Sequence, residues 1–74
     1  MTLRRLYSAE LPPNGGEVVL GESSSRHVRV LRLRSGDAVV LFDGKGRAAA
    51  ARIERVEERV TCRAETPEPS VASA

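Results

Sequence analysis

The sequence predicts a mostly-β fold with one short helix, and three observations carry that expectation. The first is a thin core: among 74 residues the sizeable apolar side chains are nine Val, seven Leu and single Ile, Met, Phe and Tyr. Valine favours strands, and a domain this small buries only about 60% of the surface its unfolded chain exposes. The second is the shortness of the apolar runs, of which Ala38 to Phe42 is the most strand-like. The third is the spacing of the turn clusters, Pro12 to Gly16, Ser35 to Asp37 and Asp43 to Gly46, which cut the chain into strand-sized pieces.

Taken in order, Leu3 to Tyr7 reads as a short strand whose adjacent Arg4 and Arg5 point to opposite faces. Glu17 to Leu20 is a second strand, closed by Gly21. Ser23, Ser24 and Ser25 offer N-cap oxygens for a helix. In Arg26 to Leu33, Val28 and Leu31 lie three apart, as do Arg29 and Arg32 on another face. That is one or two turns of helix, basic on its exposed side. After the strand Ala38 to Phe42, glycines at 44 and 46 suit a hairpin turn.

Arg47 to Val60 reads two ways. Ile53, Val56 and Val60 have helical spacing and Ala48 to Ala51 favours a helix, yet Val60, Cys62 and Ala64 alternate with Thr61 and Arg63 as a half-buried strand does. Thr66 to Ala74 carries two prolines and two serines and reads as a linker to a further domain.

Composition excludes several functions. No apolar run approaches the roughly 18 residues that span a bilayer. Met1 to Leu11 holds Arg4, Arg5 and Glu10 without a long apolar stretch, so no secretory signal is expected. A single cysteine, Cys62, precludes an internal disulfide and suits the cytosol, where it reads as a small buried hydrophobe. One Cys and one His fall short of a structural zinc site. His27, without a nucleophile or metal ligand beside it, reads as a structural or hydrogen-bonding group rather than a catalytic base.

The basic residues are more informative. Net charge is only +2, but 11 of the 12 basic residues are arginine, the residue suited to phosphate. Arg26, Arg29, Arg32 and Arg34 lie with His27 within nine positions. Such a cluster either binds nucleic-acid backbone or is merely a solvated basic face. Arg32 could instead pair with Asp37 or Asp43. Gly44-x-Gly46-x-x-Ala49 after a strand also fits a dinucleotide fingerprint, but that fold needs further βαβ units and a hairpin explains the glycines better. Tyr7 and Phe42 are the only aromatics. Two rings are too few for a stacking platform, so any RNA contact should read backbone and shape, and the plain alternative for both rings is a place in the core.

Arg5-Leu6-Tyr7, His27-Val28-Arg29-Val30-Leu31-Arg32, Gly36-Asp37 and Leu41-Phe42-Asp43-Gly44, in this order and spacing, resemble the N-terminal domain of the ribosomal RNA small subunit methyltransferase E family. The resemblance covers about residues 3 to 65. It implies a small PUA-like β-barrel of five or six strands with one short helix, acting in rRNA binding. It makes residues 1–65 the RNA-binding domain and 66–74 the start of a linker. Arg47 to Glu54 then becomes one strand and Arg59 to Glu65 the next.

By the same resemblance, methylation of uridine N3 in 16S rRNA falls to a SPOUT-class domain that binds S-adenosylmethionine. The whole protein is implied to be a cytoplasmic homodimer acting on the small ribosomal subunit. No cofactor is expected in these 74 residues. The family often has two adjacent histidines where this chain has Arg26-His27, so a permanent cation replaces the first. The expected RNA contacts are Arg5, Arg26, His27, Arg29 and Arg32, joined by Lys45 and Arg47 from the hairpin into one positive surface. The alternative is a barrel that serves protein contacts or a dimer without touching RNA.

Overall fold

The computed structural model describes residues 4–69. The chain forms β1 (Arg4–Tyr7), β2 (Gly16–Val19), α1 (Glu22–Val30), β3 (Ala38–Phe42), β4 (Arg47–Val56), β5 (Val60–Ala64) and the two-residue β6 (Glu68–Pro69). The strands make one sheet in the order β1-β3-β4-β5-β2, with β6 on β4. β1 runs parallel to β3, with Leu6 opposite Leu41, and every other pairing is antiparallel. The fold is mostly β with one helix, as expected, but the sheet is not closed into a barrel. β1 and β2 end the path, and no ladder joins them among the described residues.

The helix fills the open side through two serines. Ser24 Oγ donates to the carbonyl of Tyr7 at the end of β1, at 2.6 Å. Ser25 Oγ accepts from the Val60 N–H of β5 at 2.9 Å and lies 3.4 Å from the Leu20 carbonyl after β2. Neither caps the helix. α1 begins at Glu22, four residues before Arg26, and its N-cap is Gly21 without a side-chain cap. The serines are buried one turn inside because β1 and the start of β5 offer partners that outcompete the cap position.

The helix ends in a Schellman motif, with Leu33 N–H on the Val28 carbonyl at 3.1 Å and Arg32 N–H on the Arg29 carbonyl at 3.0 Å. That motif places Arg32 at φ +58°, in the left-handed region usually left to glycine. Leu33 packs against the core as the motif requires. Asp37 accepts from the Arg34 N–H at 2.8 Å, and Asp43 serves the hairpin, so neither pairs with Arg32.

Inward positions alternate along the strands: Val39 and Leu41 on β3, Ala49, Ala51 and Ile53 on β4, Val60, Cys62 and Ala64 on β5. They meet Leu6, Val18, Leu20 and the helix residue Val28 in one core. Residues 47–60 therefore hold strands and a turn, not the helix that their alanines favour. Burying every second residue on both β4 and β5 satisfies the strand period at once, which overrides propensity. Glu68–Pro69 falls in the stretch that reads as linker but pairs with Arg47 and Ala48. Leu3 and residues 70–74 lie outside the described residues.

Candidate nucleic-acid interface

Helix phase decides where the basic side chains go. Ser24, Ser25 and Val28 face inward, so Arg26 and Arg29 fall on the flank nearest the β4–β5 turn. There Arg29 Nη1 donates to the carbonyls of Glu57 and Glu58, at 3.1 and 3.0 Å. Arg26, Arg29, Glu22, Glu58 and Arg59 line a shallow groove at this end. His27 is exposed and follows Arg26 by about 100° around the helix, so it points away from Arg29. Arg32 is exposed just beyond the helix.

Lys45 and Arg47 belong to the other end of β4. Asp43 builds the turn there: its Oδ1 accepts from the N–H groups of Lys45 at 2.7 Å and Arg47 at 3.1 Å. The Lys45 backbone bond, with that of Arg47, holds the Asp43 carboxyl below the usual carboxylate range. This turn leads into strand β4, so Gly44-x-Gly46 meets no helix N-terminus and the dinucleotide reading fails. β4 has ten residues, which at roughly 3.3 Å each sets Arg47 far from Arg29. The structure thus brings together Arg26 and Arg29, and separately Lys45 and Arg47, rather than gathering all seven expected residues in one compact cluster.

Arg5 lies on the outer face of β1, with its guanidinium 5.3 Å from the centre of the Phe42 ring. Tyr7 meets the same ring edge-on, with centroids 5.7 Å apart. Tyr7 is 49% exposed and Phe42 is half-buried, so the core alternative fails for both. Sequence reasoning missed this grouping because Phe42 is 35 positions from Tyr7, and only the parallel β1–β3 register, which sets the two opposite each other, brings them together. Arg59 was missed for the same reason. Its signal is topological, since it comes near Arg26 only through the β4–β5 turn.

None of the seven expected residues has a carboxylate within ion-pair distance among the described residues. Arg55 pairs with Glu17 at 3.5 Å and Arg63 with Glu54 at 3.0 Å. Cys62 is buried, and that burial, followed by the charge of Glu54, pushes its thiol up to about 11. It is an inert core group, as its place in the strand pattern implied. Among the described residues no group of His, Cys, Asp and Glu is arranged to hold a metal ion, and no helix is long and apolar enough to cross a membrane.

A small open sheet plugged by a helix, with several exposed cations free of carboxylate partners among the described residues, has the architecture of a PUA-like domain. The profile of the family described as RNA methyltransferase PUA domain matches residues 20–65. The chain belongs to that family. Its fold is similar to ribosomal RNA small subunit methyltransferase E of Neisseria gonorrhoeae, solved with S-adenosyl methionine: TM-score 0.80, 34% identity, 90% of this chain and 29% of that one. It is also similar to a Legionella pneumophila protein assigned as a methyltransferase and solved with bound SAM: TM-score 0.86, 28% identity, 95% of this chain and 30% of that one. A predicted RNA methyltransferase of Thermotoga maritima shares the fold at TM-score 0.75 and 24% identity, over 90% of this chain and 31% of that one. The chain spans about 30% of the length of these structures.

Proposed function

We propose that this domain holds small-subunit rRNA for S-adenosylmethionine-dependent methylation of a uridine N3 in 16S rRNA, within a longer cytoplasmic, homodimeric protein. The observation that carries the reading is the set of cations without carboxylate partners in a chain of the RNA methyltransferase PUA family. Unpaired guanidinium and ammonium groups are free to displace counterions from phosphate. On this reading Arg26, His27 and Arg32 meet backbone from the helix side, and Arg5, Lys45 and Arg47 from the opposite end. Arg29 contributes only the part of its guanidinium not bonded to Glu57 and Glu58. On this reading S-adenosylmethionine is held by other parts of the longer protein.

A salt series on small-subunit rRNA fragments tests this. Wild type should bind at about micromolar Kd or weaker at physiological salt, and lose affinity as salt rises. An Arg26→Ala, Lys45→Ala double variant leaves every hydrogen bond of the Arg29 and Asp43 side chains in place. It should reduce the slope of log K against log salt by roughly 1.5. Equal slopes for the two proteins would remove these residues from the RNA surface. Absence of binding at low salt would leave the alternative, a module for protein contacts.

A further inference from the structure

The outer face of β1 and β3 holds a feature that backbone binding does not use. Tyr7, Phe42 and Arg5 stand side by side on it, in a chain with only two aromatic residues. We propose that the exposed face of Tyr7 is a stacking site for one unpaired RNA base, with Arg5 as the cation for that nucleotide's phosphate. This deepens the proposed function and rests on it, since it names unpaired RNA as the ligand.

Four observations support the assignment. Tyr7 is 49% exposed although it is paired in the sheet at the end of β1. Its position is fixed from behind: its carbonyl accepts from Ser24 Oγ at 2.6 Å, and its ring leans edge-on against Phe42. Gly44 approaches so closely that a Cβ there would sit 3.3 Å from Tyr7 Cε1, so the hairpin braces the ring. Around the rings the face is apolar, with Val40 and Ala48 half-buried and Ala50 exposed next to Phe42 in the β3–β4 register. A rigid ring on such a floor, with a guanidinium beside it and no carboxylate paired to that guanidinium, suits a flat anionic ligand. Nucleic-acid bases stack on aromatic rings of this kind whatever their identity. Lys45 is less suited as the phosphate partner, because it lines a cleft with Glu10 and Glu17.

Tyr7 is the sole tyrosine and the chain has no tryptophan, so its emission reports this site alone. The 74-residue chain is titrated with an unpaired RNA hexamer and with a duplex of the same sequence, reading tyrosine emission and, separately, anisotropy of end-labelled RNA. The hexamer should quench the emission saturably. Tyr7→Leu should weaken hexamer binding roughly 5- to 150-fold and leave duplex binding unchanged, while Tyr7→Phe keeps both. Duplex binding by the Leu variant certifies that it is folded, and the wild-type emission signal needs no variant. Hexamer binding without a change in emission, or with full affinity in Tyr7→Leu, overturns the stacking site and leaves the RNA reading standing. If neither RNA binds, both fall. Self-association that Tyr7→Leu abolishes, with no effect of RNA on emission, would assign the face to a second copy of the chain and overturn the proposal.

Discussion

Replacing Ser25 by alanine tests how the helix is held on the open sheet. Ser25 is fully buried, and its Oγ is the acceptor for the Val60 N–H, which opens β5 in an equally buried position. Alanine fits the space but leaves that N–H without a partner. A buried donor stripped of its acceptor costs about 1–3 kcal/mol, and the long contact to the Leu20 carbonyl adds little. A 74-residue chain at about 0.05–0.15 kcal/mol per residue has roughly 4–11 kcal/mol in all. A loss near 2 kcal/mol is therefore a large fraction of the total, and corresponds to a fall in Tm of roughly 8–16 °C for a domain of this size. The assay is thermal and urea unfolding followed by circular dichroism. Ser23→Ala serves as control: Ser23 is exposed and should change stability by less than about 0.5 kcal/mol. A Ser25→Ala protein that melts with the Ser23→Ala protein would refute the serine staple.

Arg32→Gly should raise the unfolding free energy by about 1 kcal/mol, read as a higher urea midpoint, because glycine relieves the left-handed backbone at φ +58°, and should weaken RNA binding if the side chain meets phosphate. A variant that is more stable yet binds RNA fully would free Arg32 from that role. Asp43 has a folded-state carboxyl below its ordinary value of 3.8, chiefly through the Lys45 backbone bond. Its contribution is thus present above that pH and lost as pH falls through the lower folded value. Wild type should lose stability more steeply below pH 4 than Asp43→Asn, which keeps an acceptor oxygen for the turn. Parallel acid unfolding curves would contradict this.

Much of the fold is legible in the sequence where a local pattern and the tertiary environment agree. Ala38–Phe42 is a strand with the expected bounds because its short apolar run also meets a buried face through Val39 and Leu41. The Asp43–Gly46 turn is legible because a side-chain acceptor and two glycines at φ +73° and +96° suffice to close it. The start of the helix is not, because serines before a basic stretch signal a cap, and only backbone groups of distant strands β1 and β5 draw them inside. Residues 47–60 mislead for a similar reason. Four consecutive alanines favour a helix weakly, and long-range pairing with β3 and β5 decides otherwise.

The candidate site shows the same division, and the serine staple links the two. A run of basic residues fixes how many charges a segment carries, but not which of them share a surface. On a helix that is settled by phase, and phase here is set by which residues dock. Because Ser24 bonds to edge strand β1 and Ser25 to the start of β5, Arg29 is turned onto the β4–β5 turn and loses part of its guanidinium to two carbonyls. His27 is turned the other way. Shifting the docking face by one residue would rotate every side chain by about 100° and bring a valine, Val28 or Val30, to the β4–β5 turn in place of Arg29 without changing the net charge. The seven cations are therefore not equivalent: two small hydroxyls set which helix cations face the β4–β5 turn, and the length of β4 sets Lys45 and Arg47 apart from them.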